Sequence, residues 1–400
     1  MVDYLDINNS NLAELFKTDF LNLISKPYNK KHPLLSMVKR DKSLVGNVQA
    51  HAVEMSDVGG FSVNSIGTAG DSDVRQTNYT AKKLYQVGRI DGMSIELARN
   101  DEGAFARLLA KTIKDMKESF DRNMSTQLFG NGDGALGTIS AVTNADPTFT
   151  LTISDFLRAN MRKSDVVHVG ASTDDFRVVS VDRANSQVVL KRLNGSKVPA
   201  VSDVVYIQNT GGASTAVHGL QQVLDATSGT MYGISVGDGW QAQQLAAGGN
   251  PIRPEHIIDV MYDIVDECGE FPNVIVCGLE QMKRLVKLGE DNKILSYSTV
   301  SANDYVIGVM PHVRIEGREI PVMYDQNCPN DRVYLLNTDH IVIRTTGEGE
   351  FEEGPKGPLH HELLVGNDVY KILYKQYGEI FINPTFHGVI DGLSTTSITA

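Results

Sequence analysis

Three short stretches carry residue types that could do chemistry. At 130–137 the chain reads GNGDGALG, and from Gly132 onward this matches G-x-G-x-x-G. In a dinucleotide site those glycines let the backbone approach a pyrophosphate. That chemistry needs a strand before the loop and a helix opening after it, so that the helix N-terminus meets the phosphate. Here the preceding residues have helical spacing and the following TISAVTNADPTFT does not. The glycines therefore read as the stop of a helix, and no nucleotide is expected there.

The second stretch is GISVG at 233–237, a match to the nucleophile elbow G-x-S-x-G centred on Ser235. An elbow needs a strand before it and a helix after it to hold the serine in a strained turn. Asp238, Gly239 and a Gln/Ala/Gly stretch follow instead. The third is His360-His361-Glu362. Adjacent histidines on a strand point to opposite faces and chelate one ion poorly, so a surface loop is expected. His51, His168, His312, His340 and His387 are scattered without an H-x-x-x-H pair. Cys268, Cys277 and Cys328 form no C-x-x-C and are expected to be buried, reduced thiols. No catalytic, cofactor-binding or metal-binding residue is expected, and no cofactor.

The elements around these stretches explain more than the stretches do. Residues 101–129 are the strongest helical signal: Phe105, Leu109, Ile113, Met116, Phe120, Met124 and Leu128 recur every three or four residues. A single apolar stripe on a rod of about 40 Å predicts a helix lying along a sheet. Residues 47–55 and 81–97 have strand character and flank a glycine-rich stretch with Gly59, Gly60, Gly67 and Gly70. They predict a long hairpin with a mobile tip, which needs support from another subunit because an isolated hairpin is marginal in water. Residues 11–23 predict a short amphipathic helix with Leu12, Leu15, Phe16, Phe20 and Leu23 on one face, which must dock on the body or on a neighbour. Lys26, Lys30, Lys31, Lys39, Arg40 and Lys42 then form a basic stretch, read either as a solvated linker or as an arm that touches phosphate or an acidic partner.

Between 148 and 210 five short strand segments (TFTLTI, VVHVG, FRVVSVD, QVVLKRL and VVYIQN) predict a small β-barrel inserted into another domain. Then come a helix at 254–268 with Ile258, Met261, Ile264, Val265 and Cys268 buried, a buried strand PNVIVCG, and a helix at 279–289 closed by Gly289. The strand segments VYLLNT, HIVIRTT, DVYKILYKQYGEIFIN and HGVIDGL close the chain.

Composition sets the limits. Four hundred residues with 41% apolar content can bury two or three cores, and 22% charged content is ordinary for a folded protein. A net charge of −12 argues against a nucleic-acid coat acting through an overall basic field. No apolar run reaches the roughly 18 residues that span a bilayer, so no membrane partner is expected. No secretion signal is read at Met1, and the thiols suit a reducing cytoplasm.

A basic arm, a long hairpin and an exposed rod have no purpose in a monomer. Together with the element order, they resemble the HK97-fold major capsid proteins of tailed bacteriophages. The helix followed by NGDGALGTIS resembles that family's spine helix and glycine loop. GLQQVLDATSGTMYGISVGDGWQAQQ with PEHIIDVMYDIVDECGEFPNVIVCGLEQMKRLVKL is similar to the opening of its axial domain. REIPVMYDQNCPNDRVYLLNTDHIVIRTT and YGEIFINPTFHGVIDGL resemble the strands that return to the peripheral domain and close the fold.

The resemblance implies an α+β chain: an N-terminal arm (1–45), an extended loop (46–90), a peripheral domain (91–145 and 340–391), an inserted β-barrel (146–211), an axial domain (212–339) and a tail (392–400). It implies self-assembly into hexamers and pentamers of an icosahedral head around double-stranded DNA, built in the host cytoplasm with scaffolding, portal and decoration proteins as partners. The basic arm would face DNA or scaffold. Two other readings stay open: an encapsulin-like cellular nanocompartment, and a soluble α/β enzyme using Ser235.

Overall fold

The long helix sets the frame. In the computed structural model it runs Glu102–Leu128, and its Met116, Phe120, Met124 and Leu128 are buried, as the sequence spacing predicts. The structure describes residues 32–44, 48–57, 61, 63, 70–91, 102–154, 160–210, 215–292, 312–347, 349–352, 360–364 and 367–395. The amphipathic segment at 11–23, Lys26, Lys30, Lys31 and the glycines Gly59, Gly60 and Gly67 lie outside them.

The helix crosses a sheet built around the sixteen-residue strand Asn367–Ile382. On one side of that strand runs Lys82–Asp91, antiparallel. On the other side Ile341–Thr345, Glu350–Phe351 and His360–Leu364 pair with successive parts of it. Phe120 meets Tyr374 edge-on at 5.0 Å, and Gly88 leaves room for the Met116 side chain. Lys39–Asp41 adds a parallel strand beside Ile341–Thr345.

A second six-stranded sheet takes Gln243–Ala246, Gly388–Asp391, Val333–Leu336, Val274–Cys277, Arg318–Tyr324 and His312–Ile315, in that order. Helices Pro254–Cys268 and Leu279–Asn292 belong to this α/β layer. Val274–Cys277 is fully buried, as expected of a central strand hydrophobic at every position. The two sheets are joined twice. Val333–Leu336 passes through a short 3-10 turn at Thr338–His340 into Ile341–Thr345, and Asn367–Ile382 returns through Pro384–Phe386 into Gly388–Asp391.

In chain order a closed six-stranded barrel comes between the long helix and this layer, with its own core in which Phe149, Leu151, Phe176, Val188 and Leu190 are fully buried. All five strand segments read from the sequence are present. A sixth, Ala135–Ala145, pairs with both Thr148–Ile153 and Val204–Ile207, so strand structure of the barrel starts before residue 146.

Several expectations are corrected. The partner of Val48–Ser56 is Asp73–Thr80, while Lys82–Asp91 belongs to the peripheral sheet. The closing strand Gly388–Asp391 sits in the axial sheet between Gln243–Ala246 and Val333–Leu336. The helix at 279 runs through Gly289 to Asn292. On Pro254–Cys268 the buried residues are Ile257, Val260, Met261 and Ile264, and Ile258 faces out. The basic stretch from Pro33 onward is no linker: Leu34, Leu35 and Val38 are buried, which fixes a helical turn at Pro33–Met37 and the strand after it. Segment 360–364 is a strand of a hairpin and no surface loop.

Candidate assembly surfaces

The hairpin Val48–Ser56/Asp73–Thr80 is held at one end by aromatic rings. Tyr79, 3% exposed, stacks on Phe381 at 5.5 Å and meets Tyr232 edge-on at 5.7 Å. His51 touches the Phe381 ring at 5.7 Å. Asn78 donates its backbone N–H to the Tyr232 carbonyl at 2.7 Å. Tyr232 in turn donates its hydroxyl to the Ile380 carbonyl at 3.1 Å, and burial pushes its phenol well above the ordinary range. Arg75 adds ion pairs with Asp73 and Asp238. The hairpin is therefore clamped to both the peripheral and the axial layer.

Val53 and Met55 are half-buried against the core, while other apolar side chains of this segment stand in solvent. Val48 and Val74 are more than half exposed, Val63 is 68% exposed and Phe61 is 95% exposed. Apolar residues grouped along one projection mark a surface that another protein covers. A second such face lies on the helix Pro254–Cys268, where Ile258 and Tyr262 are exposed beside Glu255, Asp259 and Asp263. The Tyr262 hydroxyl donates to Glu316 at 3.0 Å.

The chemistry-bearing stretches resolve into structural parts. GNGDGALG joins the end of the long helix to the barrel strand Ala135–Ala145, the reverse of the order a dinucleotide loop needs. Gly132 and Gly134 have φ of +71° and +77°, and a Cβ on them would collide with Gln222 and Thr210. Gly219 packs against the backbone of Gly130 and Gln127. These glycines allow three backbone segments to meet. Ser235 ends a two-residue strand with φ −68° and ψ 129°, an ordinary extended conformation and no strained elbow, and a 3-10 turn follows in place of a helix. Cys277 and Cys328 are buried and Cys268 half-buried, none of them in a disulfide, and burial pushes the Cys277 thiol up to about 12. Among the described residues no cluster of His, Cys, Asp or Glu suits a metal ion, and no helix is long and apolar enough to cross a membrane.

Of the basic stretch, Lys39 and Arg40 face carboxylates. Lys39 is 2.7 Å from Asp339, and Arg40 is 3.6 Å from Asp121. Sequence reasoning missed the turn 325–327. There Asp325, 1% exposed, accepts from the Asn327 N–H at 2.9 Å, and Asn327 donates to Ser125 on the long helix at 2.7 Å. Burial raises the Asp325 carboxyl. The D-x-N spacing is the readable sign of such a turn.

A family profile described as SU10 major capsid protein matches residues 191–394, just over half of the chain. The chain belongs to the SU10 major capsid protein family. No curated protein sequence matches it. Among solved structures it is similar to the capsid asymmetric unit of cyanophage A-1(L), with a TM-score of 0.56 and 11% identity over 96% of this chain and 99% of that one. It is also similar to the capsid of a native GTA particle (TM-score 0.51, 8% identity, 98% and 99% covered). The holo-SrpI encapsulin of Synechococcus elongatus PCC 7942 aligns at a TM-score of 0.46, with 9% identity over 97% and 98% of the two chains.

The fold is thus the HK97-like capsid fold, and this major capsid protein has the structural role of forming a phage head shell. In those terms Glu102–Leu128 is its spine helix, and the clamped hairpin is its extended loop.

Proposed function

We propose that this capsid protein closes into hexamers and pentamers of an icosahedral head that encloses double-stranded DNA, assembling in the host cytoplasm with scaffolding, portal and decoration proteins. The hairpin carries this reading: its base is fixed on its own chain, while Phe61, Val63, Val48 and Val74 stand in solvent. The hairpin of the extended loop, Val48–Ser56/Asp73–Thr80, lies over a neighbour's spine helix and peripheral sheet. The axial domain (212–339), with its Ile258–Tyr262 face, meets its copies at the ring centre. Rings of this kind use heterologous contacts that close by rotation. Many weak contacts per subunit then sum by multivalency.

The arm (1–45) faces DNA or scaffold through Lys26, Lys30, Lys31, Lys39, Arg40 and Lys42. The ion pairs of Lys39 and Arg40 are exposed, worth roughly 1 kcal/mol or less each, so phosphate can displace them. One preparation tests both statements. Purified protein is sized by light scattering and negative-stain microscopy, and nucleic acid is extracted from particles made in the native host. Hollow polyhedra with DNA are expected. Particles that hold only protein cargo would move the reading to a nanocompartment, and a stable small oligomer in the presence of scaffold would remove the shell. Changing the six basic residues to Gln is expected to leave shells intact. If no shells form, the arm is an assembly element and its DNA role falls.

The barrel, read from the sequence as 146–211, is proposed to be an insertion that folds alone. Its separate core supports this, as do its ends: Ala135 pairs with Tyr206, and Ile207 donates to the Gly134 carbonyl at 2.9 Å. Excising 135–207 and joining Gly134 to Gln208 is therefore expected to leave a soluble, folded capsid protein. Arg122, which Asp165 of the barrel holds at 2.8 Å, is changed to Gln in the same variant. Circular dichroism and shell formation are then scored. Aggregation of this variant would mean that the barrel is integral to the fold.

A further inference from the structure

A groove of about 1200 Å³ runs between the barrel and the strand Lys82–Asp91. Among the described residues that strand pairs only with Asn367–Ile382, without a shift of register. Residues from both of its faces line the groove, Leu84 and Gln86 from one and Tyr85 and Val87 from the other, so the groove runs along its second edge. An edge of this length is a template for a further strand, and charges, prolines and bulges are the usual means of blunting one. Here Lys82 and Lys83 stand at one end, while 84–88 carry no charge, proline or bulge. Lys83 and Arg89 mark the two ends of the strand's exposed face, with Tyr85 (51% exposed) and Val87 (49%) between them. Across from these, in order, lie Tyr377, Lys371, Lys375 and Leu373 as partners of Lys83, Arg89, Tyr85 and Val87. On the barrel wall Arg177 lines the same groove, and the carboxylates there are engaged: Asp165 holds Arg122 at 2.8 Å and Asp175 holds His168 at 3.0 Å. The trough is basic in a chain of net charge −12.

We propose that this edge docks an extended acidic segment of another protein, added as a strand beside Lys82–Asp91. Carboxylates of that segment lie over Lys83 and Arg89, and its apolar side chains lie over Tyr85 and Val87. Three features select this occupant. A peptide backbone offers N–H and C=O groups at the spacing that an open edge can pair. A phosphodiester strand would meet the same charge but brings no such backbone. Basic charge at both ends of an apolar centre calls for the complementary order, acidic, apolar, acidic, on the incoming strand. A slip by two residues would set a carboxylate over an apolar side chain, so this order fixes the register. The face reads basic–apolar–basic in either direction, so it leaves the direction of the added strand open.

The docking is read on the unassembled full-length chain, so it stands or falls apart from the shell. Two fluorescein-labelled peptides serve as probes: Glu-Thr-Val-Thr-Val-Thr-Glu, and the same sequence with Lys in place of both Glu. By fluorescence anisotropy the acidic peptide is expected to bind at least about tenfold more tightly than the basic one, and added salt is expected to reduce the difference. Hydrogen exchange under saturating acidic peptide is expected to slow at Lys82–Asp91 and to stay unchanged at the barrel strand Gln187–Arg192. Combining Lys83→Glu with Lys375→Glu is expected to abolish or reverse the preference. Lys83 is exposed and Lys375 half-buried, so the fold tolerates the change. Equal binding of the two peptides by the unaltered protein overturns the proposal, as does binding without protection of Lys82–Asp91. If a short oligothymidylate protects that strand and displaces the peptide, the trough is a nucleic-acid site. If the strand gains protection with protein concentration alone, a second copy covers it. Either result also overturns the proposal.

Discussion

Replacing Phe381 with alanine is expected to cost about 3–5 kcal/mol and to release the extended loop before the rest of the protein unfolds. Phe381 is 5% exposed and is shared by His51, Tyr79 and Tyr232, with the Arg344 guanidinium 5.8 Å from its ring centre. Truncation removes the platform from all of them at once. The lost area and the cavity give the main cost, and each aromatic contact adds about 0.5–1.5 kcal/mol. The loop depends on this platform because its own strands bury little: on Asp73–Thr80 only Thr77 and Tyr79 are buried. Hydrogen exchange should therefore rise first at Val48–Ser56 and Asp73–Thr80, while the barrel, with its separate core, stays protected. Phe381→Leu keeps part of the volume and is expected to cost roughly half as much. If the hairpin and the barrel lost protection together, Phe381 would be an ordinary core residue and not the loop's anchor.

The same contrast explains what could be read from the sequence. Elements that bury a stripe against one partner announced themselves: the spine helix through Met116, Phe120, Met124 and Leu128, and Val274–Cys277 through an unbroken apolar run. Asp73–Thr80 did not, because DVRQTNYT has a single large apolar anchor at Tyr79 and takes its strand form from pairing with Val48–Ser56. The barrel's first strand, ALGTISAVTNA, starts at a glycine loop, and Gly137 interrupts its alternation. Its strand form comes from closure with Val204–Ile207, a contact about seventy residues away in the chain. Periodicity gives the width of an apolar face but not its exact centre, so the spacing places Ile258 inside while the structure turns it out. The helix is turned so that Ile257 and Val260 point inward. The ring clamp was unreadable for a similar reason: Tyr79, Tyr232 and Phe381 are far apart in sequence, and no spacing rule connects them. The negative readings at 130–137 and Ser235 needed only local order, helix–loop–strand in one and strand–turn in the other, which the sequence carried.

Acid is expected to act where the two sheets join. His387 lies between the Pro384–Phe386 turn and Gly388–Asp391 and is fully buried. The backbone N–H of Asn337, at the other crossing between the sheets, donates to its Nδ1 at 3.1 Å. The ring is thus neutral, with its proton on Nε2. Burial, then the charge of His340 nearby, lowers its pKa to about 3. An unfolded histidine titrates near pH 6.5, so between 6.5 and 3 the unfolded chain binds a proton that the folded chain refuses. This stability is fully present above pH 6.5 and is lost as the pH falls, at roughly 1.4 kcal/mol per pH unit. From pH 6.5 to 4.5 the loss from this group alone is roughly 2 kcal/mol. His387→Asn keeps an acceptor close to the position of Nδ1 but cannot titrate. The variant is expected to be less stable at pH 7, because it leaves a void, and to lose less stability on acidification. Denaturant unfolding of both unassembled proteins at pH 6.5 and 4.5 measures the difference, which removes the common contribution of the carboxylates. Equal acid losses would show that His387 is not the group that makes this junction acid-sensitive. A smaller loss in the variant would mean that protonation of one buried ring loosens both crossings between the peripheral and axial layers. Through them it would loosen the seat of the extended loop, since Phe381 lies six residues before His387 on the same returning chain.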